Sequence, residues 1–210
     1  MSRRQLWTAV LFVLMPATLL VAQDEKNEVG GAVGRTFIST QPIQGATFFD
    51  HNIHYGRGWD IEGSYARRLL ITPIVSIAAE VPLIINFKEK LHAGLPGQIP
   101  SEYKQVFVTP SLRVNLFPTT AVSPWGSIGG GFEHISEGDI LIYGGTNPGQ
   151  GTTSGVVQYG AGLDVKLTQR VVLRLEGRDF WAGEPDFPQA PTGKTRQNNY
   201  YVGVGVSWHF

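Results

Sequence analysis

The sequence predicts an all-β protein: an eight-stranded antiparallel up-and-down transmembrane β-barrel. Three observations carry that prediction. Runs of alternating apolar and polar residues recur along the chain, each about the length of a membrane-crossing strand. The connections between runs alternate between tight turns and long loops rich in Gly, Pro and polar residues. The N-terminal residues read as an export signal.

The export signal comes first. Arg3 and Arg4 form a positive start, 6–21 is apolar with a bend at Pro16, and Leu20-Val21-Ala22 offers a cleavage site before a polar stretch. This gives two segments, a signal peptide over 1–22 and a barrel domain over 23–210. After Ala22 no apolar run approaches the roughly 18 residues of a helical membrane span. The 17 basic and 17 acidic residues balance, so no basic excess invites nucleic acid. Removing the signal takes Arg3 and Arg4 and leaves the remainder slightly acidic. With 0 cysteines there is no disulfide, thiol nucleophile or thiolate metal site. The 26 glycines beside 11 Phe, 7 Tyr and 5 Trp suit a barrel of short strands.

The strands follow in order. The first, 28–38, is the least regular, because Val29 and Val33 share a face with Arg35. A long loop over 39–56 leads to the second strand, where Trp59, Ile61, Gly63 and Tyr65 alternate with Asp60, Glu62, Ser64 and Ala66. After a tight turn over 67–73, Val75, Ile77, Ala79, Val81, Leu83 and Ile85 alternate with Ser76, Ala78, Glu80 and Pro82. Beyond the loop at 87–104, Val106, Val108, Pro110, Leu112, Val114 and Leu116 oppose Thr109, Ser111, Arg113 and Asn115. A turn over 117–123 precedes the fifth strand, with Ile128, Gly130 and Phe132 against Ser127, Gly129, Gly131 and Glu133. The loop at 136–155 precedes the sixth, with Val157, Tyr159, Ala161, Leu163, Val165 and Leu167 against Gln158, Gly160, Gly162, Asp164 and Lys166. A turn over 167–170 leads to Val171, Leu173 and Leu175 alternating with Arg174, Glu176 and Arg178. The last loop, 182–198, leads to Tyr200, Val202, Val204, Val206, Trp208 and Phe210, with Gly203, Gly205, Ser207 and His209 between them.

A soluble sandwich also alternates, with its apolar face on a core. The mid-strand charges, the export signal and the short-long rhythm of connections favour a barrel whose apolar face meets lipid. Aromatics near strand ends (Trp59, Phe107, Phe117, Trp125, Phe180, Trp181, Tyr200, Trp208 and Phe210) suit the two membrane–water interfaces. A Lys or Arg turned into lipid near the midplane costs about 2–4 kcal/mol. A one-residue slip of the seventh strand would turn both Arg174 and Arg178 outward, so its register is strongly specified.

The other face then defines a lumen holding Asp60, Glu62, Glu80, Arg113, Glu133, Asp164, Lys166, Arg174, Glu176 and Arg178. Eight strands enclose a space just wide enough for side chains to fill it. Buried charges need partners, so an internal network is expected, with Arg113, Arg174 and Arg178 against Glu80, Glu133 and Glu176. Gly129, Gly131, Gly160, Gly162, Gly203 and Gly205 face the same way. They make room either for long side chains or for water. The network therefore plugs the barrel or lines a narrow pore.

The terminal alternation capped by Phe210 resembles the C-terminal signal that the assembly machinery reads in bacterial outer-membrane barrels. Residues 27–210 resemble the small eight-stranded barrels that include the OmpA transmembrane domain, and Arg178-Asp179-Phe180 resembles uncharacterised members of that kind. The resemblance implies a place in the bacterial outer membrane. It also implies contacts with outer-membrane lipid and lipopolysaccharide, with the assembly machinery, and with an unknown extracellular ligand. It names no cofactor.

Some barrels of this group are lipid A deacylases with a His-Ser-Glu set, and His134-Ile135-Ser136 has the His-to-Ser spacing. Glu137-Gly138 follows where an Asn-bearing context belongs, so a structural or loop-mediated role without catalysis is the expected function. The narrow pore comes second and the lipid-modifying enzyme last. His51 and His54 beside Asp50 read as solvated loop residues, and no metal is expected. His209 is placed at the periplasmic rim, and the glycine-rich 144–155 lacks the Gly-Lys-Ser/Thr ending of a phosphate loop. The loops at 87–105 and 181–199 could bind polysaccharide, a host surface or a partner.

Overall fold

A computed structural model describes residues 26–43, 52–56, 58–93, 99–142, 144–147, 151–183 and 196–210. The predicted signal over 1–22 and His51 lie outside the described residues. Eleven strands form: β1 (Asn27–Ile38), β2 (Gln41–Pro42), β3 (Asn52–Tyr55), β4 (Trp59–Ile71), β5 (Val75–Ala93), β6 (Glu102–Val108), β7 (Ser111–Leu116), β8 (Val122–Glu137), β9 (Thr152–Lys166), β10 (Val171–Gly183) and β11 (Arg196–His209).

Eight walls close the barrel. They are β1, β4, β5, the pair β6 and β7 acting as one wall, then β8, β9, β10 and β11, each antiparallel to the next. The seam joins β1 to β11 from Glu28↔His209 to Ile38↔Asn199. Starting at Gly34 and stepping through paired residues, the path runs to Gly203, Glu176, Gly162, Trp125, Asn115, Ser76 and Ile71. Gly34 itself faces Asp60 across β1–β4, far up the same strand from Ile71. That displacement is the shear that tilts the strands and lets eight of them close.

The predicted fourth strand is broken. Pro110 has no N–H to donate, and the wall divides there into β6 and β7. β8 comes close at the break: a Cβ on Gly131 would strike the Val108 carbonyl. Only glycine permits that approach.

The loop at 39–56 corrects one expectation, because it contains two strands. β3 pairs with the far end of β5, at Ile53↔Ala93 and Tyr55↔Leu91, and β2 pairs with β3. β5 also runs past the predicted strand end. A register shift against β6 between Asn86 and Glu89 reverses its parity, so Glu89 and Leu91 point inward.

The inward and outward faces follow the predicted alternation on every strand that had a clear one. On β1 the ambiguity resolves with Glu28 and Thr36 inward and Val29, Val33, Arg35 and Phe37 outward. Arg35 lies over the Trp59 ring, 4.5 Å from its centroid. Exposed aromatics form two girdles, with Tyr65, Phe117 and Trp208 near the short-turn end and Phe37, Trp59, Phe87, Phe132, Trp181 and Tyr200 toward the long-loop end. Phe107, Trp125 and Phe180 are not in either girdle. They point into the lumen and are buried. No described helix is long and apolar enough to cross a membrane.

Candidate functional site

The lumen is the site that the strands build most fully, and it is layered. Nearest the short turns, Arg174 of β10 makes a two-pronged contact with Asp164 of β9, at 2.8 and 2.9 Å, and reaches Glu28 of β1 at 2.7 Å. Glu28 also meets Arg113 of β7 and lies 3.4 Å from His209 of β11. Asn115 links Arg113 to Asp164, donating to the latter at 2.9 Å.

One step further in, Arg178 is ringed by Glu80 at 2.7 Å, Glu176 at 2.9 Å and Glu62 at 3.3 Å. Glu80 is shared with Arg113 at 3.3 Å, which joins the two clusters. Trp125 stands among the three guanidiniums, its ring 6.0, 5.5 and 5.4 Å from Arg113, Arg174 and Arg178. A planar guanidinium suits both carboxylate forks and a ring face. A void of about 10 Å³ lies between Gly30, Glu62, Ser64, Glu176 and Ser207. That is the space of one water.

Above the ions the lumen turns apolar. Ile84, Phe107, Val156, Phe180, Ala182 and Tyr201 pack together, with Phe107 and Phe180 stacked 4.4 Å apart. At the long-loop end, Ile43, Ile53, Leu91, Ile99, Tyr103 and Ile135 form a second apolar cluster, which joins β3 and the residue after β2 to β5, β6 and β8. Tyr55 meets Tyr103 edge-on at 6.0 Å. Glu89 sits past Phe87, outside the lipid belt, and burial holds its carboxyl above the ordinary carboxylate range against hydrogen bonds from Asn86 and Gly58.

The structure brings together Glu62, Glu80, Arg113, Asp164, Arg174, Glu176 and Arg178. Three expected members lie elsewhere. Asp60 accepts a hydrogen bond from Thr36 and faces Asn86 across β4–β5. Glu133 is beyond the apolar layer and accepts hydrogen bonds from Gln105 and Ser154 rather than from an arginine. Lys166 is half-buried at the rim with Thr119, Leu167, Thr168 and Gln169. Sequence reasoning missed Glu28, because glycines on both faces of β1 hide its parity. His209, placed at a rim from the sequence, turns inward there, and its contacts with Arg68 and Glu28 were not foreseen.

On β11, Tyr200, Val202, Val204, Val206 and Trp208 form one exposed outer stripe. Phe210 is half-buried and exchanges two backbone hydrogen bonds of 2.9 Å with Asn27. His134 and Ser136 share the outer face of β8, and His134 Nδ1 lies 2.8 Å from the Thr153 hydroxyl. Among the described residues, no three His, Asp or Glu side chains converge as metal ligands.

No family model and no curated protein matches the chain. Solved structures do. Neisserial surface protein A is 14% identical over 88% of this chain and 97% of its own, with a TM-score of 0.55. The outer membrane protein OprG from Pseudomonas aeruginosa is 11% identical over 88% and 96%, with a TM-score of 0.52. At such identities the likeness is one of fold, and it matches the closed eight-stranded wall traced above. The chain has the fold of the small eight-stranded outer-membrane β-barrels.

Proposed function

We propose that this chain acts in the bacterial outer membrane as a sealed, non-catalytic barrel that meets its surroundings through its long loops. One observation carries the reading. The lumen is filled in succession by an ion network, an apolar layer and an apolar mouth cluster. Working surface is then left on the loops and the outer wall. In this reading residues 1–22 direct export and are removed, and the outer stripe of β11 with Phe210 is what the assembly machinery recognises. The wall contacts outer-membrane lipid and lipopolysaccharide, and the loops contact an extracellular ligand.

The test is conductance of the refolded protein in planar bilayers. Silence is expected. Steady conductance by the native chain would overturn the sealed barrel in favour of a narrow pore.

A further inference from the structure

Beyond the apolar layer, toward the loop end, Asp60, Asn86 and Glu89 meet. Asp60 of β4 faces Asn86 of β5 in register, and the shift between Asn86 and Glu89 turns Glu89 inward beside them. All three are buried, at 1%, 0% and 0% exposure. Their donors are few. Thr36 donates to Asp60 Oδ2 at 2.7 Å, Gly58 N–H to Glu89 Oε2 at 2.6 Å, and Asn86 Nδ2 to the same oxygen at 3.2 Å. Three oxygens receive no hydrogen bond: Asp60 Oδ1, Asn86 Oδ1 and Glu89 Oε1.

The contrast with the lower lumen is chemical. There, Glu28, Glu62, Glu80, Asp164 and Glu176 each touch a guanidinium. Here, among the described residues, no arginine, lysine or histidine forms an ion pair with Asp60 or Glu89. Two buried carboxylates without a counter-charge are costly unless they take up protons or a cation. The unbonded amide oxygen of Asn86 adds a neutral ligand of the kind that hard cations take beside carboxylates. Glycine at position 58 lets the backbone come this close to the cluster, because a Cβ there would strike Glu89 Oε2 and stand 3.0 Å from Asn86 Oδ1.

We propose that Asp60, Asn86 and Glu89 form a binding site for a hard divalent cation of the calcium class. Two carboxylates and an amide supply part of an oxygen shell that such ions complete with water. Through Gly58 and Glu89 the cation ties the start of β4 to β5. It thereby sets the shape of the mouth.

The test uses the full-length chain refolded in micelles, stripped with chelator and titrated calorimetrically with calcium chloride. The expected result is one calcium per chain, with affinity reduced more than about 10-fold in Asp60→Asn and in Glu89→Gln. Both variants keep shape and remove buried charge, so both fold. Without calcium they melt at or above the native temperature, and calcium no longer raises it. Glu133→Gln, a buried carboxyl outside the set, leaves binding unchanged. No calcium binding by the native chain, or equal binding by the Asp60 and Glu89 variants, overturns the site. Neither result depends on whether the barrel conducts.

Discussion

At the scale of single residues, the lower lumen is organised by Arg178. Its guanidinium answers Glu62, Glu80 and Glu176 at once. Arg178→Ala leaves three buried carboxylates facing one another, and an expected loss of about 3–5 kcal/mol follows. The urea midpoint of the refolded protein, followed by gel mobility without boiling, measures it.

Glu62→Gln should behave oppositely. Carboxylates outnumber guanidiniums in this network, and one Glu62 oxygen has no hydrogen bond. Its charge is surplus, so the amide should be neutral or stabilising in the same assay. Glu80, shared by two arginines, should not tolerate the equivalent change.

The mid-strand arginines were legible in the sequence because alternation fixes their side of the wall. Their partners were less so, since pairing depends on the register between distant strands. Glu133 illustrates this. It has the right parity but sits on the wrong side of the Phe107–Phe180 stack to reach an arginine.

At the scale of elements, β11 offers the cleanest test. Val204 lies midway along its exposed stripe, facing Val33 and Leu175 across the two neighbouring strands. Val204→Arg should cost about 2–4 kcal/mol, as expected for a cation at the lipid midplane. The neighbouring inward Gly203 cannot report the same effect. Refolding into vesicles of fixed composition, followed by denaturant titration, reads the cost.

Regular strands such as β9 and β10 were fully legible. Two kinds of element were not. β1 is glycine-rich, and glycine carries no hydropathy signal. β5 changes parity at its bulge, so a period-two reading ends at Asn86 while the strand continues. Three of the aromatics, Phe107, Trp125 and Phe180, were misread for a different reason. Trp125 has the parity of Ser127 and Glu133, which already places it inside, yet its position near a strand end suggested the interface.

At the scale of the whole molecule, the sealed barrel proposed above has two filled layers in series, and either should hold the seal alone. Removing the Phe180 ring opens the apolar layer but leaves the ions below it. Cutting Arg178 opens the ions but leaves the stack above. The bilayer measurement should therefore find each single variant nearly silent, and conductance should appear when Arg178→Ala and Phe180→Ala are combined. Conductance from either alone would mean that one layer carries the seal.

The seam between β1 and β11 has a consequence for how the chain can be strung. Asn27 and Phe210 already exchange backbone hydrogen bonds, so the ladder crosses the seam as it crosses any other strand pair. The wall is a ring, and a ring has no first strand. A chain with residue 210 joined to residue 26 by a short linker, and opened instead between Leu167 and Thr168, should close the same wall and keep its heat-shifted mobility on gels. Such a permuted protein would end on Leu167 rather than Phe210. It would separate what the barrel needs in order to stand from the terminal signal proposed for its assembly.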